Sequence, residues 1–223
     1  MNNKALIFDS SSIITLALND LLYILEPLKK LFGGEFYITE NIRVELIDRS
    51  SEIRRFMLES LMIKKLIDQD TLKVVPSKDL KAEQEKIMNT ANFMFKTEEE
   101  WIRMIHEGEA SCLALYNTIK TDKKAIVIDE RTTRMLVEMP ENLHKLLGKK
   151  LHRKIQAKPE NYPFFNNFRI IRSSELCLIA YLNKIISLPS SPQQAIIALL
   201  YATKYKGCAI SNQEIESIKN IKV

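Results

Sequence analysis

Ala5-Leu6-Ile7-Phe8-Asp9-Ser10-Ser11-Ser12-Ile13-Ile14 is an unbroken apolar run that stops on an acid and three serines. Such a run, bounded by a polar break, suits a strand buried on both faces, as in a parallel sheet. In open α/β sheets the functional crevice lies outside the carboxyl ends of the strands, which is where Asp9 is expected. The serines supply an N-cap for a helix through Ile13, Ile14, Leu16 and Leu18. Capping alone would also account for an acid at position 9. A second copy of the pattern argues for more. Ala125-Ile126-Val127-Ile128 runs into Asp129-Glu130, and a helical stretch over 132–138 follows. Two buried strands that each end on Asp at one sheet edge imply a shared acidic site.

Three further strands are expected at 35–38, at 72–75 before Pro76, and at 168–171. Between them the apolar residues recur at helical spacing. A helix runs from Leu21 to Phe32 and stops at Gly33-Gly34. Thr39 can cap a helix carrying Ile42, Glu45 and Leu46, which aims Glu45 toward the crevice edge; a solvated helix glutamate is the competing account. Residues 52–68 read as an amphipathic helix with Ile53, Phe56, Met57, Met62, Ile63, Leu66 and Ile67 inward, and 79–94 as a charged outer helix. Thr97-Glu98-Glu99-Glu100 has the form of a helix N-terminus, with Gly108 breaking that helix. Glu109-Ala110-Ser111-Cys112-Leu113-Ala114 starts the next, with small inward residues and Glu109 in its first turn. Dipole compensation alone would account for an acid there. Helices at 174–186 and 193–206 and a final short one after Ser211-Asn212-Gln213-Glu214 close the chain. The alternation predicts an α/β fold, three-layer α/β/α with a central mostly parallel sheet and a helical C-terminal extension. The segments are a core over 1–140, a basic insert over 141–167, and a last strand with C-terminal helices over 168–223.

The insert is where the charge lies. Between 141 and 169 seven lysines and arginines face two acids, an excess equal to the net charge of +5 of all 223 residues. Lys149, Lys150, Arg153 and Lys154, with Tyr162, Phe164 and Phe165 close by, suit phosphate contacts and base stacking. A solvated loop whose aromatics pin it to the core is the alternative. The three cysteines, Cys112, Cys177 and Cys208, offer neither a disulfide framework nor a paired-thiol metal site, and a reducing cytoplasm fits. The chain shows no glycine-rich phosphate loop, no signal-peptide pattern and no apolar run of membrane length.

The acids Asp9, Glu45, Glu109 and Asp129, with Glu130 adjacent, form the candidate site. Clustered carboxylates repel by roughly 4 kcal/mol per pair at ~4 Å and an effective dielectric near 20, so protons or a divalent cation must neutralise them. Oxygen donors select Mg²⁺ or Mn²⁺ over zinc, and the three histidines, His106, His144 and His152, read as surface or capping residues.

In order, four blocks resemble the PIN domain family, the metal-dependent nuclease fold of VapC-type toxins and RNA-processing nucleases. Asp9-Ser10-Ser11-Ser12-Ile13-Ile14 is similar to its opening Asp-x-[Ser/Thr/Asn]-x-Leu-Ile. Ile38-Thr39-Glu40-Asn41-Ile42-Arg43-Val44-Glu45-Leu46 is similar to the second block, Gly108-Glu109-Ala110-Ser111 to the Gly-Glu-Ala block, and Asp129-Glu130-Arg131-Thr132-Thr133-Arg134 to the Asp-Asp-x-x-x-Arg block. The likeness covers about residues 4–138, and it departs from the family at Glu130 and in the length of the chain. It implies an Mg²⁺- or Mn²⁺-dependent endoribonuclease with Asp9, Glu45, Glu109 and Asp129 as ligands, Glu130 in reserve, and Ser11 holding Asp9 or a metal-bound water. It implies RNA as substrate, in a toxin-antitoxin or RNA-processing role, with an antitoxin-like inhibitor and a second copy as compatible partners. A non-catalytic RNA-binding scaffold of the same fold is the alternative. An aspartyl phosphotransferase also opens on a strand ending in Asp, but it wants a second Asp where Ser11 stands.

Overall fold

The computed structural model describes residues 4–219; residues 1–3 and 220–223, the outer ends of the first and third expected segments, lie outside the described residues. The strands are β1 (Lys4–Phe8), β2 (Glu35–Thr39), β3 (Lys73–Val75), β4 (Phe95–Lys96), β5 (Lys123–Val127), β6 (Gln156–Ala157) and β7 (Ile170–Ile171). Five of them form one sheet in the order β3-β2-β1-β5-β7, every pair parallel. β1 is central, and Ala5, Leu6, Ile7 and Phe8 are all buried, as an apolar run covered on both faces requires. Phe8 lies opposite Val127, so β1 and β5 end at one edge. β4 and β6 pair antiparallel in a separate ribbon.

The helices are α1 (Ser10–Ala17), α2 (Leu25–Phe32), α3 (Glu40–Arg43), α4 (Met57–Asp68), α5 (Lys81–Asn92), α6 (Glu107–Thr118), α7 (Arg131–Glu138), α8 (Pro140–Leu151), α9 (Ser173–Leu182), α10 (Pro192–Tyr205) and α11 (Asn212–Lys219). They flank the sheet in a three-layer α/β/α fold that ends in helices. Gly33 closes α2 in the left-handed conformation, at φ 62°, which a side chain would resist. α6 is buried along Ala110–Tyr116, on its large residues as well as its small ones, because it packs against both α5 and the sheet. All three cysteines are buried and unpaired. Among the described residues no single helix is long and apolar enough to cross a membrane.

Four local readings are corrected. Thr97 does accept hydrogen bonds from the N–H groups of Glu99 and Glu100, but no helix follows. The Ile102 N–H goes to the Phe95 carbonyl, and the Met104 and Ile105 N–H groups go to Asn92 Oδ1, so tertiary partners take the donors a helix would use. Gly108 therefore breaks nothing; it lies in the first turn of α6. The helix expected over 52–68 begins at Met57, buries Ile63 and Leu66, and leaves Ile53, Met57, Leu58 and Leu61 exposed. The basic insert is not an appended loop. Its Leu143, Leu147, Ile155 and Phe165 join the main core, and His144 stacks on Phe95 at 5.7 Å while Nε2 meets the Ile155 carbonyl at 2.7 Å.

Candidate functional site

Asp9 follows β1 and is held from three directions. Its N–H donates to the Val127 carbonyl at 2.9 Å, which anchors it to β5. As N-cap of α1, its Oδ2 accepts from the Ser11 N–H at 3.0 Å and from the Ser11 hydroxyl at 2.5 Å. Ser11 Oγ in turn accepts the Asp129 N–H at 3.0 Å. The capping role and the site role thus coincide: the same bonds that start α1 lock the carboxylate rotamer. Among the described residues Oδ1 has no hydrogen-bond donor.

Glu45 stands in the widened π-helical turn Val44–Arg49 that continues α3. Such turns leave carbonyls unmatched. Here Ser50 Oγ donates to the Glu45 carbonyl at 2.8 Å and Ser60 Oγ to the Leu46 carbonyl at 3.1 Å. Leu46 is buried beneath, and Glu45 is half-buried at the cleft. Across from it, Glu109 sits in the first turn of α6, where its Oε2 accepts the His106 N–H at 3.0 Å. Gly108 lets the two elements meet. A Cβ built there would stand 3.1 Å from Ile42 Cδ1 and 3.6 Å from Glu45 Oε2. Gly108→Ala is expected to change stability by less than about 1 kcal/mol, because alanine's helix gain offsets the few tenths of an ångström by which Ile42 must give. Urea unfolding would read the difference.

Asp9, Glu45 and Glu109 line one cleft of about 370 Å³, together with Arg49, Arg103 and His106. An adjoining hollow of about 290 Å³ shares Glu45, Arg49, Glu107 and Gly108, so the cleft continues as a groove. Burial first, then the charges of Glu109 and Glu45, push the Asp9 carboxyl up to about 7, against the pull of its Ser11 hydrogen bonds. Among the described residues neither Glu45 nor Glu109 is ion-paired, and no three acids, histidines or cysteines are placed to hold one ion as they stand. The three carboxylates come from three elements and offer only oxygen donors, the ligand chemistry that Mg²⁺ or Mn²⁺ takes, with Arg49 and Arg103 in the same cleft.

The structure does not bring the remaining acids into this cleft. Asp129 is buried, with Oδ1 accepting the Ser173 N–H at 2.8 Å and Oδ2 the Ser173 hydroxyl at 2.6 Å. Its carboxylate tethers the start of α9, although its backbone joins Ser11. Glu130 caps α7, accepting from the Thr132 and Thr133 N–H groups at 2.7 and 2.6 Å. Of the five acids expected as ligands, Asp9, Glu45 and Glu109 line this cleft, and Asp129 and Glu130 do not. The four insert cations also separate. Arg153 pairs with Glu99 at 3.1 Å, in a hollow shared with Lys154, while Lys149 lines a different pocket and Lys150 is exposed. Phe165 is fully buried and Phe164 lies under Lys86, so these rings hold the segment to the core rather than offering a face to bases.

Arg49, Arg103 and His106 are cleft residues that the motifs do not mark. Arg49 was legible as the i+4 neighbour of Glu45 on one helical face. Arg103 and His106 had no such signal, because they precede α6 in irregular chain. No protein-family model matches this chain, and no curated protein and no solved structure matches it.

Proposed function

We propose that this protein is a PIN-like metal-dependent endoribonuclease, a hydrolase that cuts RNA phosphodiester bonds. One observation carries the reading: carboxylates from three separate elements, none of them ion-paired among the described residues, line one cleft at the carboxyl edge of a parallel sheet. Mg²⁺ or Mn²⁺ on Asp9, Glu45 and Glu109 would supply an activated water and stabilise developing charge. The chain's own residues do the rest. Ser11 keeps Asp9 oriented, while Arg49 and Arg103 offer positive charge to a phosphate in the groove. A cytoplasmic setting, an antitoxin-like inhibitor and pairing with a second copy belong to the same proposal. The seat of Asp129 on Ser173 favours the second reading, a non-catalytic RNA-binding scaffold.

An assay on mixed RNA and DNA separates the two. RNA is expected to be cut with Mg²⁺ or Mn²⁺ and left intact with chelator. A hundredfold excess of metal over its dissociation constant should also add about 2.7 kcal/mol of stability, roughly 5–10 °C in melting temperature for a chain of this size. Metal-independent melting together with intact RNA would leave only the scaffold.

A further inference from the structure

α7, α8 and the segment 209–211 enclose a second pocket, of about 550 Å³, that shares no lining residue with the acid cleft. Arg131 and Arg134 reach it from α7, at i and i+3; Lys145 and Lys149 reach it from α8, at i and i+4. Met135, Met139 and Leu146 give it an apolar part. The acid at its rim, Glu214, is already engaged by Arg172 at 2.7 Å and by the Ser211 N–H at 2.8 Å. Arg134 Nη1 donates to the Ala209 carbonyl at 2.5 Å, and its Nε lies 3.5 Å from Glu138 Oε2, so this cation already has a carboxylate partner. Among the described residues Arg131, Lys145 and Lys149 have no carboxylate partner. Three unpaired cations on one hollow, with Arg134 beside them, give it a net positive charge that favours an anion.

The pocket is tied to the candidate active site through the backbone. The Ala209 N–H donates to the Asp129 carbonyl at 3.0 Å, and the Asp129 N–H donates to Ser11, which holds Asp9. Resting on the nucleic-acid reading above, we propose that this pocket seats one nucleotide of the RNA strand. Its phosphate lies on Arg131, Lys145 and Lys149, and its base lies against Met135, Met139 and Leu146. The size falls in the range that holds a small-molecule-sized unit, and cations beside a short apolar surface match a nucleotide's two halves.

The test measures binding of a fluorescently labelled oligoribonucleotide in chelator, so that cleavage plays no part. Lys145→Ala/Lys149→Ala and Arg131→Ala change exposed side chains. The double variant is expected to bind at least tenfold more weakly, with a salt slope reduced by about 0.7, the share of one single-strand phosphate contact, and the single variant by no more than that. Lys64→Ala on α4 serves as the control and should bind as wild type. Unchanged affinity and slope in the double variant would overturn the proposal. So would stronger competition by an oligoglutamate peptide than by unlabelled RNA of equal length, which would make the occupant an acidic protein segment. The two readings fail separately. Pocket-dependent binding by a protein that never cuts RNA would sink the nuclease and keep the pocket. Metal-dependent cutting by a protein whose double variant binds normally would do the reverse.

Discussion

Asp9→Asn is expected to abolish metal-dependent RNA cleavage while raising the melting temperature in metal-free buffer. The substitution keeps a carbonyl oxygen for the two Ser11 donors, so α1 retains its cap. It removes the charge that burial and the neighbouring Glu109 and Glu45 oppose. A carboxyl pushed up to about 7 holds its proton in the folded state after the unfolded chain has released its own. Folding is therefore unpenalised below the ordinary value of 3.8, and stability falls as pH rises from there through about 7. The loss approaches about 4 kcal/mol above that window, an upper figure for a fully buried group. The variant should match wild type near pH 4 and exceed it at pH 8 in chelator. Saturating Mg²⁺ should reverse the order, because wild type gains from the metal and the variant does not. Cleavage should fall at least a hundredfold, as loss of a ligand to an activating metal implies. A folded Asp9→Asn protein that still cuts RNA at the wild-type rate would remove Asp9 from the chemistry.

Asp129→Ala should be the most destabilising single change at this sheet edge, and its cause is structural. Alanine leaves the Ser173 N–H and hydroxyl without acceptors inside the protein. Two hydrogen bonds to a buried carboxylate are worth about 3–5 kcal/mol when the acceptor is lost. For a chain of this length that lowers the melting temperature by roughly 10 °C. Asp129→Asn separates tether from ligand. One amide oxygen can still accept the Ser173 N–H while the amide N–H₂ donates to the hydroxyl oxygen. The folded Asn variant should therefore keep both cleavage and the metal-induced rise in melting temperature. Loss of both, with stability unchanged, would return Asp129 to the metal site.

The sheet was legible in the sequence because its signal is short-range. The chain is apolar on consecutive residues over 5–8 in β1 and over 125–128 at the end of β5, the pattern of burial on two faces, and each run stops abruptly on an acid. Asp9 and Glu109 could be placed at the edge from local pattern, the one at a strand end and the other just after Gly108 in a helix's first turn. What lay out of reach depends on partners remote along the chain. The carboxylate of Asp129 has equal local reason to face the cleft or to leave it, and Ser173, 44 residues on, decides. Thr97 offers a sound cap, but Phe95 and Asn92 claim the N–H groups beyond it. The insert's charge was countable, yet its cations serve different surfaces. Lys149 joins Arg131, Arg134 and Lys145 only because α7 and α8 fold against each other and the segment 209–211 returns beside them. Helical and strand periodicity report which face of an element is buried. Which donor meets which acceptor across the molecule is set by packing, where each buried polar group must find a partner and no local rule says which.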